Sequence, residues 1–124
     1  MSEILLVIGG ILNIALAVFH FTFWKNPLFN WKEELPKLNL FNRALLQVAT
    51  ILFIYVMLCF AVISFLISSS KTFGSTEKAM VIFIGGFYLL RAILQFPFFG
   101  VSKLGVGIFI ICLLISGCYF ASFL

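Results

Sequence analysis

Residues 40–67 read LFNRALLQVATILFIYVMLCFAVISFLI and run into Ser68-Ser69-Ser70. As a helix, at about 1.5 Å per residue, this stretch is long enough to cross a hydrocarbon core of roughly 30 Å. Its single charge is Arg43, with Gln47 and Thr50 four and seven residues on, so that a guanidinium, an amide and a hydroxyl share one helix face. A full charge near the bilayer centre costs about 2.5–3.5 kcal/mol on insertion scales, which makes an arginine here a site unless a partner satisfies it. The run Arg43-Ala44-Leu45-Leu46-Gln47 has an echo, Arg91-Ala92-Ile93-Leu94-Gln95, in the next apolar segment.

On the N-terminal side, Ile4 to Trp24 forms a second apolar run, interrupted only by Asn13, His20 and Thr22. Phe19, Phe21, Phe23 and Trp24 followed by Lys25 mark a membrane interface and not a signal-peptide cleavage site, since no basic segment precedes the run. On the C-terminal side, two further runs span about 79–96 and 104–124, the former expected to stop or kink at Pro97, which lacks an amide donor and clashes with the preceding turn. The expected fold class is all-α: one domain, 1–124, forming an integral membrane four-helix bundle with antiparallel up-down topology and spans of about 4–24, 40–67, 79–96 and 104–124.

Composition agrees. The 124 residues are 64% hydrophobic and 10% charged, with a mean hydropathy of +1.24, against roughly 45–50% apolar and 25% charged in soluble domains. Almost nothing is left to form a soluble catalytic domain. The net charge of +4 is dispersed and excludes a nucleic-acid footprint. Six lysines sit in loops or at helix ends, where they meet anionic lipid head groups. Lys25, Lys32, Lys37 and Lys103 against Lys71 and Lys78 predict cytoplasmic first and third loops and both termini outside, with the bacterial inner membrane as the default location. Cys59, Cys112 and Cys118 have no metal-knuckle spacing and read as small packing residues.

The longest polar excursion, 25–39, reads KNPLFNWKEELPKLN. Asn30 and Glu33 have capping-box spacing, so Trp31 to Leu35 is expected to form one turn lying in the interface. Glu33 and Glu34, half of the chain's carboxylates, are the nearest candidate partners for the arginines. The second loop, SSSKTFGSTEK, reads as a turn centred on Gly74.

Arg43 falls in the first turns of the second span and Arg91 near the end of the antiparallel third, which places both in the leaflet next to the first loop. His20 and Trp24 end the first span there too. Asn13, His20 and Trp24 share a face of the first helix, and Tyr88, Arg91 and Gln95 share one of the third. The candidate binding residues are therefore Arg91, Gln95, Arg43, Gln47, His20, Trp24 and Tyr88. Two guanidiniums with neighbouring amides suit an anion, because arginine presents paired planar donors and stays charged. The guest would be a membrane lipid head group, another anionic amphiphile or a small anion. Against this stands a plainer reading in which Arg43 snorkels, Arg91 pairs with Glu33, Glu34 or carbonyls freed near Pro97, and His20 and Asn13 only hold helices together.

No acidic residue lies in the expected spans and His20 is the sole histidine, so neither a metal nor a cofactor is expected, and no catalytic residue is assigned. A proton-coupled cation exporter is disfavoured for the same reason. In the fourth span, Gly105, Cys112, Ser116 and Tyr119 share a small-residue face, and the pairs Gly9-Gly10 and Gly85-Gly86 mark close helix contacts or the face of a homo-oligomer, a dimer or trimer.

The segments FHFTFWK, FNW, LPKLNLFNRALLQ and LLRAILQFPFF together resemble a group of small four-span bacterial membrane proteins. The chain is also similar, in layout and a few residues, to the membrane-associated eicosanoid and glutathione metabolism family. Its trimeric four-helix subunits bind glutathione through an R-A-x-x-N-x-x-E motif opening the second helix. Here the motif reads Arg43-Ala44-x-x-Gln47-x-x-Thr50, with Gln for Asn and no carboxylate. That resemblance implies a ligand groove between subunits faced by Arg43, Gln47, Tyr88 and Arg91, and a glutathione- or lipid-dependent transferase. Three function classes follow: a protein that binds or transports an anionic or lipid-like ligand, a membrane transferase, and a structural or partner-binding subunit.

Overall fold

Local caps set where the helices begin and end in a computed structural model that describes residues 2–70 and 72–122. Helix α1 is Ser2–Phe21, with Glu3 favourably placed in its first turn, and Thr22–Trp24 continues it as a 3-10 turn. A one-turn helix, α2, covers Trp31–Glu34 and leads into the 3-10 turn Leu35–Lys37. The Asn39 side-chain oxygen accepts from the Asn42 amide at 2.8 Å and so caps α3, Leu40–Ser69. Helix α4 is Ser75–Ile93, α5 is Gln95–Phe99 and α6 is Lys103–Ala121. The Ser102 hydroxyl accepts from the Gly105 amide at 3.0 Å and caps α6.

The described residues are helical without strands, and four segments are long and apolar enough to cross a membrane: α1 with its 3-10 turn, α3, α4 with α5, and α6. This is the number and length that a four-helix membrane bundle requires. Only 28% to 33% of each spanning window is buried. Side chains such as Tyr55, Phe83, Ile93 and Leu114 are exposed, as an acyl-chain solvent allows and water does not.

Several boundaries move from those expected. The third span starts at Ser75, not near 79, because the Glu77 carboxylate reaches back to accept from the Gly74 amide at 3.0 Å and draws a polar turn into the helix. The second ends at Ser69, where the Ser68 and Ser69 hydroxyls donate to the Phe65 and Leu66 carbonyls. Pro97 does not end the third span. The break falls at Leu94, and Pro97 lies within α5. A proline displaces the carbonyl four residues earlier, here Ile93, so the kink precedes the ring. The capping box at Asn30 is absent: Asn30 is left-handed, at φ 50°, and its side-chain amide donates to the Glu33 carboxylate at 3.3 Å. Lys71, used in the orientation count, and residues 123–124 of the fourth span lie outside the described residues.

The chain packs as two units, Ile11–Ala61 and Met1–Gly10 with Val62–Leu124. In the first, α1 and α3 run antiparallel. Ala17, Ile54 and Met57 form the core with Leu16 and Trp24 against them. Rings from the first loop extend it: Phe29 lies 4.2 Å from Phe23, and Trp31 lies 5.1 Å from Trp24, edge to face.

In the second unit, Val81, Ile84, Gly85, Tyr88 and Ala92 form the buried stripe of α4, and Gly105, Cys112, Ile115, Ser116 and Tyr119 that of α6. The expected small-residue face of the fourth span is thus a packing face. The two helices are antiparallel neighbours, with the Ser116 hydroxyl donating to the Gly85 carbonyl at 2.9 Å. Tyr119 and Ser64 of α3 share a buried hydrogen bond of 2.5 Å. A β-carbon on Gly9 would come within 2.8 Å of the Tyr119 ring, which is why only glycine fits there.

Candidate functional site

The seven expected binding residues divide between the units: His20, Trp24, Arg43 and Gln47 in one, Tyr88, Arg91 and Gln95 in the other.

In the first, the polar groups are largely used internally. The Trp24 indole N–H donates to the Gln47 side-chain oxygen at 3.1 Å, and the Gln47 amide donates to the Arg43 carbonyl at 3.2 Å. Both ends of Gln47 are therefore engaged. The Thr50 hydroxyl donates to the Leu46 carbonyl at 2.9 Å, on its own helix. His20 donates through Nδ1 to the Leu16 carbonyl at 2.7 Å, and its ring lies 4.5 Å from that of Phe23. These arrangements hold helices and rings in place. Arg43 is half-buried in the opening turn of α3, and among the described residues its guanidinium has no ion-pair partner. Glu33 accepts from Asn30, and Glu34 pairs with Lys37 at 3.2 Å, so both carboxylates are engaged within their own loop.

The Trp24–Gln47 bond gives a direct test. Trp24→Phe keeps most of the apolar area and removes the donor, and is expected to lower stability by about 0.6 kcal/mol, the average for interhelical polar pairs in membranes. Reversible unfolding in mixed micelles reads it, and a Trp24→Phe, Gln47→Leu double-mutant cycle isolates the pair.

In the second unit, Arg91 is the centre. Its Nη1 donates to the Gln95 side-chain oxygen at 2.7 Å, and its Cζ stands 5.0 Å from the centroid of the Phe99 ring, within cation–π range. Gln95 is 2% exposed and lies so close to α6 that a β-carbon on Gly105 would come within 3.0 Å of its Nε2. Arg91 is half-buried and, among the described residues, has no carboxylate within salt-bridge distance. Beside it is an open hollow of about 310 Å³ lined by Arg91, Leu94, Phe98 and Phe99. Tyr88 is buried one turn earlier, its ring edge-on to Phe87 at 5.2 Å.

Leu94, Phe98 and Phe99 are the residues that sequence reasoning missed. The signal was present: 91, 94, 95, 98 and 99 follow the i, i+3, i+4, i+7, i+8 pattern of one helix face. Closing the expected span at 96, where Pro97 was expected to stop or kink it, cut that face one turn short.

Fold and site define a polytopic α-helical membrane protein with a half-buried cation beside an apolar hollow. Compared with known protein families, curated proteins and solved structures, the chain matches none.

Proposed function

We propose that this protein binds or transports an anionic or lipid-like ligand in the membrane, with Arg91 as the anchoring cation. In the same reading it resides in a bacterial inner membrane with both termini outside and Arg91 in the cytoplasmic leaflet. One observation carries the proposal. The Arg91 guanidinium is supported on one side by Gln95, is not neutralised by a carboxylate among the described residues, and borders an apolar hollow. A membrane arginine without a counter-ion is costly, and an anionic guest would supply the missing charge. A second reading, a structural or partner-binding subunit, draws on the internal use of Trp24, Gln47 and His20, and on the finding that no buried side-chain nitrogen or oxygen among the described residues lacks a hydrogen bond.

Native mass spectrometry of the detergent-purified protein with lipids and small anions separates the two. Arg91→Ala is expected to lose an adduct that the wild type and Arg43→Ala retain, at unchanged oligomeric state. If nothing binds and both variants lose only thermal stability, the arginines are structural.

A further inference from the structure

The geometry points to an anionic glycerophospholipid as the guest of the Arg91 site, its phosphate on the guanidinium and its acyl chains against Phe98 and Phe99. This deepens the proposal above and rests on it.

The direction of the arginine side chain is the first argument. Helical side chains leave the backbone tilted toward the helix N-terminus. Arg91 instead meets residues four and eight positions later, Gln95 and Phe99, so the chain runs toward the end of the span. The cation is thereby carried from the depth of its own Cα toward the level where α5 ends, as an arginine does when it seeks the headgroup region.

The donor count is the second. Guanidinium has five N–H donors in one plane, and Gln95 takes one of them. The Phe99 ring stands against the group, and Gln95 is itself pinned beside Gly105. This leaves a fixed cation with donors in hand for the paired oxygens of a phosphodiester.

The walls decide between a lipid and a free anion. Leu94, Phe98 and Phe99 are all exposed, Phe98 at 77%, and in a membrane span such surfaces meet acyl chains. A free phosphate gains nothing from them, whereas a lipid places its chains there while its phosphate reaches Arg91. Lys103, exposed at the start of α6 and two residues before Gly105, adds a second cation near the same end and favours a headgroup with net negative charge.

The test presents the full chain in detergent with equimolar phosphatidylglycerol, phosphatidylcholine, oleate and inorganic phosphate, and counts adducts by native mass spectrometry. The wild type is expected to retain phosphatidylglycerol over phosphatidylcholine by about thirtyfold, the size of effect that two near-surface cations supply. Arg91→Gln is expected to cut that preference about fivefold, leaving the share of Lys103. Phe98→Asp, at an exposed wall position, is expected to reduce it by repulsion without touching the packed interior, and so tests the same point should the arginine variant fold poorly. If oleate or inorganic phosphate is the adduct that depends on Arg91, the phospholipid inference falls and Arg91 remains an anion site. If phosphatidylglycerol is retained equally by the wild type, Arg91→Gln and Phe98→Asp, both readings fall.

Discussion

Tyr119→Ala is expected to lower stability by about 2.5 kcal/mol, taking about 24 cal/mol per Å³ for a vacated volume of roughly 100 Å³. Tyr119 is 1% exposed, so lipid has no access to fill the space. The ring is also what Gly9 exists to admit: a β-carbon there would come within 2.8 Å of it. In a bilayer the transfer of apolar area from water is no longer the driving force, since acyl chains are as apolar as leucine, and close packing carries more of the load. Tyr119→Phe should separate packing from polarity. It keeps the ring and removes the hydroxyl bonded to Ser64, and is expected to cost about 0.6 kcal/mol and no more than about 1.7. Reversible unfolding in mixed micelles measures both. A Tyr119→Ala variant as stable as Tyr119→Phe would mean that this interface is loosely packed.

The second large effect is expected at Gly105, which touches no proposed ligand. A side chain there would be forced to within 3.0 Å of both the Gln95 amide and the Ser102 hydroxyl. The Ser102 hydroxyl caps α6 and Gln95 is almost wholly buried, so neither yields easily. Gly105→Leu should therefore cost about 1–3 kcal/mol through overpacking. It should also pull Gln95 away from Arg91, breaking a 2.7 Å hydrogen bond and freeing the guanidinium to leave its place over Phe99. Phosphatidylglycerol retention should then fall although Arg91 is intact. Gln95→Leu should lower retention with a smaller loss of stability, because it removes the support without adding bulk. Retention unchanged in both variants would show that Arg91 is positioned without Gln95.

These two effects also show what could and could not be read from the chain. The spans were legible because a bilayer imposes a length of apolar residues that composition alone reveals. Helical period then predicted the polar faces, and the Arg91–Gln95 pair, four residues apart, is among the contacts found. The helix ends were less legible. Ser75 to Lys78 are polar, yet a carboxylate reaching back to the Gly74 amide makes them helical, and apolarity carries no trace of that. Pro97 was the sharpest case: it was expected to stop or kink the span, and closing the span at 96 left out Phe98 and Phe99, whereas the chain kinks at Leu94 and resumes.

The sequence by itself determined that the protein is helical, that four segments are long and apolar enough to span a membrane, and which side chains share a face of each helix. Those properties depend on composition and on a local period of 3.6 residues, both fully present in the order of residues. Only the tertiary structure decided which polar groups were already consumed. Trp24 and Gln47 are 23 residues apart and Ser64 and Tyr119 are 55 apart, and nothing local announces that they meet. A hydrogen bond is made or lost over a few tenths of an ångström, while a helical face fixes a direction only to within tens of degrees. Packing uses several of the seven candidates internally, and of the two arginines it is Arg91 that borders a hollow.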